Sequence, residues 1–297
     1  MFAAPLTPSA KRRNFRERLA SGKLLVVPGA FNPLSAMLIE RQGFDGVYLS
    51  GAVMAAELGL PDVGLTTLSE VATRSHQVAR VVDLPTLVDA DTGFGEPMNM
   101  ARTVQVLEDA GVAGLHIEDQ VNPKRCGHLD GKQVVDLRTA LQRIAAAVRA
   151  RRDADLLIMA RTDVRATEGL SGVLERARAY VDAGADSIFP EALVSLAEFE
   201  AVRAAVDVPV LANMTEFGKS ELFTTQQLSD VGVNLVIFPV SLLRLAMGAA
   251  QRALDTIDEL GSLSSLTSEM QTREQLYELL DYRSYQAYDD AVFDFEL

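Results

Sequence analysis

Several things are scarce in this 297-residue chain, and each scarcity closes off a class of protein. There is a single cysteine, Cys126, which excludes an intramolecular disulfide and suits a reducing compartment. No apolar run is clean enough to span a bilayer. The longest, Val231 to Ala250, holds Asn234, Pro239 and Arg244, which a spanning helix would bury in lipid, so strand, turn and helix is the expected reading. Lys11, Arg12, Arg13, Arg16 and Arg18 are followed by no apolar segment, so no secretory signal is expected. Basic residues are in deficit, 28 against 41 acids, for a net charge of −13. Such a surface repels phosphate backbones and argues against a nucleic-acid partner. It would repel a free polycarboxylate too, so an anionic substrate needs local cations or a metal. Finally, Gly29-Ala30-Phe31 after the first strand lacks the Gly-x-Gly-x-x-Gly spacing of a dinucleotide site. A soluble cytoplasmic protein, with no membrane partner, is the expectation.

What is present is ordinary globular material, 48% hydrophobic and 23% charged. Short β-branched runs alternate with longer helical patterns. Strands are expected at Leu24–Val27, Gly46–Ser50, Pro85–Ala90, Val112–Glu118, Leu156–Arg161, Asp186–Pro190, Val208–Asn213 and Asn234–Pro239. Helices are expected at Pro33–Gln42, Leu68–Val82, Met98–Ala110 and Asp136–Arg151, then Gly169–Ala183, Leu193–Ala205, Thr224–Asp230 and Ser241–Leu260. Gly43, Gly111 and Gly184 stand where a left-handed residue ends a helix. Eight strand–helix units predict an α/β fold of the (β/α)₈ TIM-barrel class, with an open doubly wound sheet as the alternative. Residues 1–297 read as one catalytic domain with a helical appendage from about Leu260, bearing Tyr277, Tyr282, Tyr285 and Tyr288.

In a barrel the working residues stand at the carboxyl ends of the strands. Those ends carry Tyr48 and Ser50, Asp89 and Asp91, His116 with Glu118 and Asp119, Arg161 with Asp163, Glu191, and Asn213 with Thr215. A structural barrel gains nothing from gathering acids that repel one another. In Asp89-Ala90-Asp91 the two acids share a strand face and suit Mg²⁺, unless one merely caps a turn. Glu118 and Asp119 would support such a metal or hold a basic residue in place, while His116 reads more simply as a satisfied core histidine. The string Lys124-Arg125-Cys126-Gly127-His128 is the most informative. A cysteine among Lys124, Arg125 and His128 is stabilised as thiolate, as nucleophile or proton donor, and the cations suit a carboxylate substrate. Arg161, Arg244 and Arg273 are candidate carboxylate clamps, each alone more often a salt-bridge arginine. Asn213-Met214-Thr215-Glu216-Phe217-Gly218 supplies neutral donors, or else turn chemistry.

Taken together these strings resemble the isocitrate lyase and methylisocitrate lyase branch of the phosphoenolpyruvate mutase superfamily. Beside the cysteine loop the matching pieces are Tyr48-Leu49-Ser50-Gly51, Val88 to Gly95, His116 to Gln120, Met159 to Asp163, Phe189 to Ala192, Asn213 to Gly218 and Met270 to Arg273. They run in order over most of the chain, from about Pro28 to Arg273. The resemblance implies a TIM barrel whose last helix is exchanged between subunits of a homotetramer. It implies Mg²⁺, with Mn²⁺ as a substitute, near Asp89 and Asp91. Substrate contacts carried over by position are Ser50, Gly51, Ala52, Cys126, Gly127, Arg161, Glu191, Asn213, Thr215, Arg244 and Arg273, to which the charge of the cysteine loop adds Lys124 and Arg125. Ala52 departs from the glycine common in the family.

The implied reaction is retro-Claisen cleavage of a tricarboxylate, 2-methylisocitrate, to pyruvate and succinate in propionate breakdown. A base takes the C2 hydroxyl proton, the C2–C3 bond breaks, and Cys126 protonates the aci-carboxylate carbon. The base stays open among Tyr48, Asp62 (the residue matching the lid acid) and a metal-bound group, and Glu118 and His128 complete the catalytic candidates. Isocitrate and dimethylmalate are the rival substrates, and a silent carboxylate-binding barrel is the rival of another class. A small recess for the 2-methyl group is expected among Phe189, Leu235, Ile237 and Pro239.

Overall fold

The computed structural model describes residues 6–125, 127 and 131–293. The chain divides into two compact units, one spanning Leu6–Leu242 and the other beginning at Leu243. In chain order the first contains α1 (Pro8–Ala20), β1 (Leu25–Pro28), α2 (Pro33–Arg41), β2 (Val47–Leu49), α3 (Gly51–Glu57), α4 (Leu68–Ala79) and β3 (Thr86–Asp89). It continues through α5 (Pro97–Asp109), β4 (Gly114–Glu118), α6 (Leu137–Ala150), β5 (Leu157–Thr162), α7 (Arg165–Asp182) and β6 (Ser187–Pro190). It closes with α8 (Leu196–Ala205), β7 (Leu211–Asn213), α9 (Thr225–Asp230), β8 (Leu235–Phe238) and the start of α10 (Ser241–Leu260).

Each expected strand is present, and all the ladders are parallel: β2 to β6 pair in sequence order, and β8 lies between β1 and β7. Two single bridges, Gly29 with Tyr48 and Ile188 with Val210, join these sheets into a closed ring. At those seams Ala30 N–H donates to Tyr48 O at 2.9 Å and Ile188 N–H to Pro209 O at 3.0 Å. Closure sends the carboxyl ends of all the strands to one rim, as a (β/α)₈ barrel requires.

Strand alternation decides what lies inside the ring. On β5, Leu157 and Met159 belong to the barrel-interior cluster with Leu25, Val27, Phe189, Leu211 and Ile237. Ile158 and Ala160 face outward and join the helix-covered core. Toward the rim the same inward face carries Arg161 instead of an apolar residue.

No apolar periodicity marks α1. Thr7 caps it, accepting from Ala10 N–H, and its buried face is Lys11, Arg12, Phe15 and Leu19. Phe15 and Leu19 join the barrel-interior cluster. Arg12 Nε donates to Val112 O at 2.9 Å, just before β4, and Arg16 Nη2 to Leu156 O at 3.1 Å, just before β5. The basic N-terminal residues therefore satisfy carbonyls at the amino ends of strands. Their polarity concealed a helix whose inner face is half cationic.

The second unit begins inside α10, at Leu243, and that helix runs unbroken to Leu260. It adds a 3₁₀ turn (Ser264–Glu269), α11 (Arg273–Leu279) and α12 (Tyr282–Phe293). Thr272 and Gln275 form a capping box on α11, and the Tyr277 and Tyr282 rings stack 4.7 Å apart. Leu245, Met247, Leu254, Leu260 and Phe293 are exposed.

Candidate active site

β3 ends in Asp89, and the chain turns sharply through Asp91 at φ 46° and Gly93 at φ 84°. The turn holds because Asp91 N–H donates to Asp89 Oδ1 at 3.0 Å and Gly93 N–H to Ala90 O at 2.8 Å. Asp89 Oδ2 also accepts from Gly51 N–H at 3.2 Å, at the first turn of α3. Gly51 has to be glycine: a Cβ there would stand 3.0 Å from Asp89 Oδ2 and 3.1 Å from Asp91 Oδ1. Two buried carboxylates thus share one small space. Burial and the negative charge of Asp89 push Asp91 up to about 6. Burial would raise Asp89 as well, but Lys124, Arg161 and, when protonated, His116 hold it below its ordinary value.

Lys124 is buried, with its ammonium 2.8 Å from Asp91 Oδ1 and also paired with Asp62. Burial would lower this lysine, yet Asp91 and Asp89 keep it charged. Its charge is thus engaged by Asp91 and Asp62. Arg125 is exposed, and Gln120 anchors its backbone.

Around the rim, Arg161 is enclosed by acids. Its Nη2 lies 3.2 Å from Glu118 Oε2 and 3.2 Å from Glu191 Oε2, and its Nε donates to Asp163 Oδ2 at 3.0 Å. Its guanidinium carbon stands 5.1 Å from the Phe189 ring centre. Asn213 Nδ2 reaches Glu191 at 3.4 Å. The loop after β4 presses on this pair: a Cβ at Gly127 would sit 2.5 Å from Arg161 Nη2 and 2.6 Å from Glu191 Cγ, so only glycine fits. Burial raises Glu118 well above the carboxylate range, against the pull of Arg161, and among the described residues neither of its oxygens accepts an aligned hydrogen bond.

His116 is fully buried, and its environment is more than core packing. Its Nε2 is 2.8 Å from Tyr48 OH, its Nδ1 is 3.7 Å from Asp89 Oδ1, and the Phe189 ring meets it edge-on. Burial pushes the imidazole down to about 4, so it is neutral near pH 7, and burial with Asp89 pushes the Tyr48 phenol well up. Tyr48 therefore donates to Nε2, which leaves the Nδ1 proton facing Asp89. The signal was legible: His116 and Glu118 are i and i+2 on β4 and must share a face.

Several expected residues thus converge: Tyr48, Ser50, Gly51, Asp62, Asp89, Asp91, Glu118, Lys124, Gly127, Arg161, Glu191 and Asn213. Ser50 N-caps α3 without using its side chain, Ala52 follows it on α3, and Thr215 is buried just beyond β7. Cys126 and His128 lie outside the described residues. Arg244 and Arg273 belong to the second unit, on α10 and at the start of α11. Of the expected recess walls, Leu235 pairs with Leu25 and Leu211, one inward layer below Ile237 and Asn213, so Leu235 is too deep to line it. Lys132 and Thr66 were missed. Lys132 binds Gly127 O and Asp163, and Thr66 Oγ1 is 3.5 Å from Asp91 Oδ2.

The donor set fits a hard divalent cation. Among the described residues no three His, Cys, Asp or Glu side chains group as metal ligands, so water and substrate would complete the shell around Asp89 and Asp91, as Mg²⁺ prefers. Among the described residues Asp91 Oδ1 meets the Lys124 ammonium at 2.8 Å but receives no aligned hydrogen bond, which leaves its lone pairs open to a metal ion.

Comparison with known proteins agrees with this geometry. The phosphoenolpyruvate phosphomutase family matches residues 15–258. A Corynebacterium glutamicum protein named "Probable 2-methylisocitrate lyase 2" is 59% identical, with 99% of this chain and 96% of that protein covered. The 2-methylisocitrate lyase of Aeropyrum pernix is 48% identical, over 93% and 89%. Among solved structures, a 2,3-dimethylmalate lyase superposes with TM-score 0.88 at 34% identity, covering 98% of this chain and 99% of that one. A phosphonopyruvate hydrolase complex with oxalate and Mg²⁺ gives 0.86 at 27%, over 96% and 99%.

Proposed function

This chain belongs to the phosphoenolpyruvate phosphomutase family, and from that premise we propose that it is a carbon–carbon lyase cleaving 2-methylisocitrate to pyruvate and succinate. The observation that carries the reading is the convergence of Asp89, Asp91, Arg161 and Glu191 on one rim, in a chain near-colinear with 2-methylisocitrate lyases.

Asp89 and Asp91 would hold Mg²⁺, or Mn²⁺ in its place. That ion would supply Lewis-acid polarisation of the substrate's α-oxygen. Arg161 binds a substrate carboxylate. Three acids fix its Nε and Nη2, and no hydrogen bond among the described residues uses Nη1. Glu191 and Asn213 orient the remaining oxygens, with Ser50 and Thr215 as hydroxyl donors. Asp62 is the candidate for taking the C2 hydroxyl proton. Tyr48 keeps its own proton, bonded to His116, which makes it a donor rather than a base. Cys126 gives the proton to the succinate carbon, with His128 beside it in sequence and the buried Glu118 behind Arg161. We read the enzyme as acting in propionate breakdown, as a cytoplasmic homotetramer with the last helix exchanged between neighbours. The exposed apolar side chains of α10 support such subunit contact.

The test is turnover. Purified protein with Mg²⁺ is given 2-methylisocitrate, isocitrate and dimethylmalate separately, and keto-acid release is measured. Cleavage of 2-methylisocitrate with the highest kcat/KM is expected. No release from any of the three refutes the reading.

A further inference from the structure

Lys132 closes the loop between β4 and α6, and its side chain is only 3% exposed. Its ammonium donates to the Gly127 carbonyl and, at 2.8 Å, to Asp163 Oδ1. Asp163 in turn holds Arg161, accepting from Nε at 3.0 Å and from Nη2 at 3.3 Å. Asp163 is itself anchored: its N–H donates to Asp119 Oδ1 at 2.9 Å. The other Asp119 oxygen accepts from Thr162 Oγ1 at 2.6 Å, Tyr180 OH at 2.8 Å and Arg176 Nη1 at 3.1 Å. At the opposite root of the loop, Gln120 brackets Arg125. Its Nε2 donates to Arg125 O at 2.8 Å and its Oε1 accepts from Arg125 N–H at 2.9 Å. The backbone is thus gripped on both sides of position 126.

We propose that Lys132 is a positioning residue that locks the Gly127 backbone to the Asp163–Arg161 pair. Gly127 and the guanidinium are then held in one register. Packing alone does not explain a lysine here. A buried ammonium is costly unless its donors are met, and methionine would fill the same volume without that cost. The space at Gly127, which excludes even a Cβ, shows how closely the loop must register against Arg161 and Glu191. Only the catalytic consequence rests on the lyase reading.

The test uses Lys132→Met in the full-length protein with Mg²⁺, with two readouts. The first is kcat on 2-methylisocitrate. The second is the rate of iodoacetamide alkylation, which reports on this loop because Cys126 is the chain's one cysteine. The expected result is kcat reduced roughly ten- to a hundredfold, the worth of one charged hydrogen bond, with an alkylation rate changed severalfold and far-UV circular dichroism unchanged. Wild-type kcat, or reduced kcat with unchanged alkylation, overturns the proposal. If Lys132→Met does not fold, Asp163→Asn takes its place and the alkylation rate alone decides. If the wild-type protein itself cleaves nothing, the lyase reading fails, and the alkylation comparison still judges the clamp.

Discussion

Asp91 should cost the metal-free protein stability as pH rises between about 4 and 6, a loss that the difference between wild type and Asp91→Asn isolates. In the unfolded chain Asp91 titrates near 3.8, whereas in the fold burial and the neighbouring Asp89 carry it to about 6. Below 3.8 both states hold the proton and nothing is lost. Between the two values the fold keeps a proton that the unfolded chain releases, so stability declines, and above 6 the loss is complete. At ~1.4 kcal/mol per pH unit the displacement corresponds to about 3 kcal/mol. For a barrel of this size that is roughly 6–12 °C in melting temperature. Asp89 does not confuse the window. Its value is depressed, so its contribution is present above 3.8 and lost only as pH falls below it. Glu118 and Asp119 are also pushed up by burial, and His116, pushed down to about 4, gains stability over the same window, but all three act alike in wild type and variant. The assay is thermal melting in EDTA from pH 4 to 7.5, for wild type and Asp91→Asn. The variant should gain on wild type by about 3 kcal/mol across that range. Added Mg²⁺ should stabilise wild type at neutral pH and the variant less. A difference between the two that does not change with pH would refute the reasoning.

Three further outcomes are expected. Cys126→Ser should keep the fold and lower kcat by ~10²–10⁴-fold, since a hydroxyl is a far weaker acid than a thiol; near-normal turnover removes Cys126 as proton donor. Asp89→Ala, or exhaustive chelation checked by elemental analysis, should abolish keto-acid release with far-UV circular dichroism unchanged. Full activity of the stripped enzyme would eliminate the ion from the reaction. The 2-methyl substrate should be favoured over isocitrate by roughly 10–200-fold, the worth of one filled methyl recess. Ile237→Phe, which narrows the inward layer beside Asn213, should depress kcat/KM for 2-methylisocitrate more than for isocitrate. Equal or better cleavage of isocitrate by wild type would reassign the substrate.

Much of the architecture is legible in the sequence. Eight β-branched runs separated by helical periods and glycine stops specify strands and helices through local sterics, and alternation along β3 and β5 already puts Asp89 with Asp91, and Arg161 with Asp163, on shared faces. The same rule would have moved His116 from core to site had it been applied to Glu118 two residues on. Other features were out of reach of any local pattern. The α1 helix buries cations against the carbonyls before β4 and β5, partners about a hundred residues or more away in sequence. Lys124 resembled a free cation until the fold set it between Asp62 and Asp91. Glu118, Asp163 and Glu191 meet at one guanidinium because β4, β5 and β6 are neighbours in the ring. Which face a side chain takes is a matter of backbone period, written residue by residue. Which charges touch, and how far burial moves their protons, depends on distances and solvent exclusion that exist only once the ring has closed.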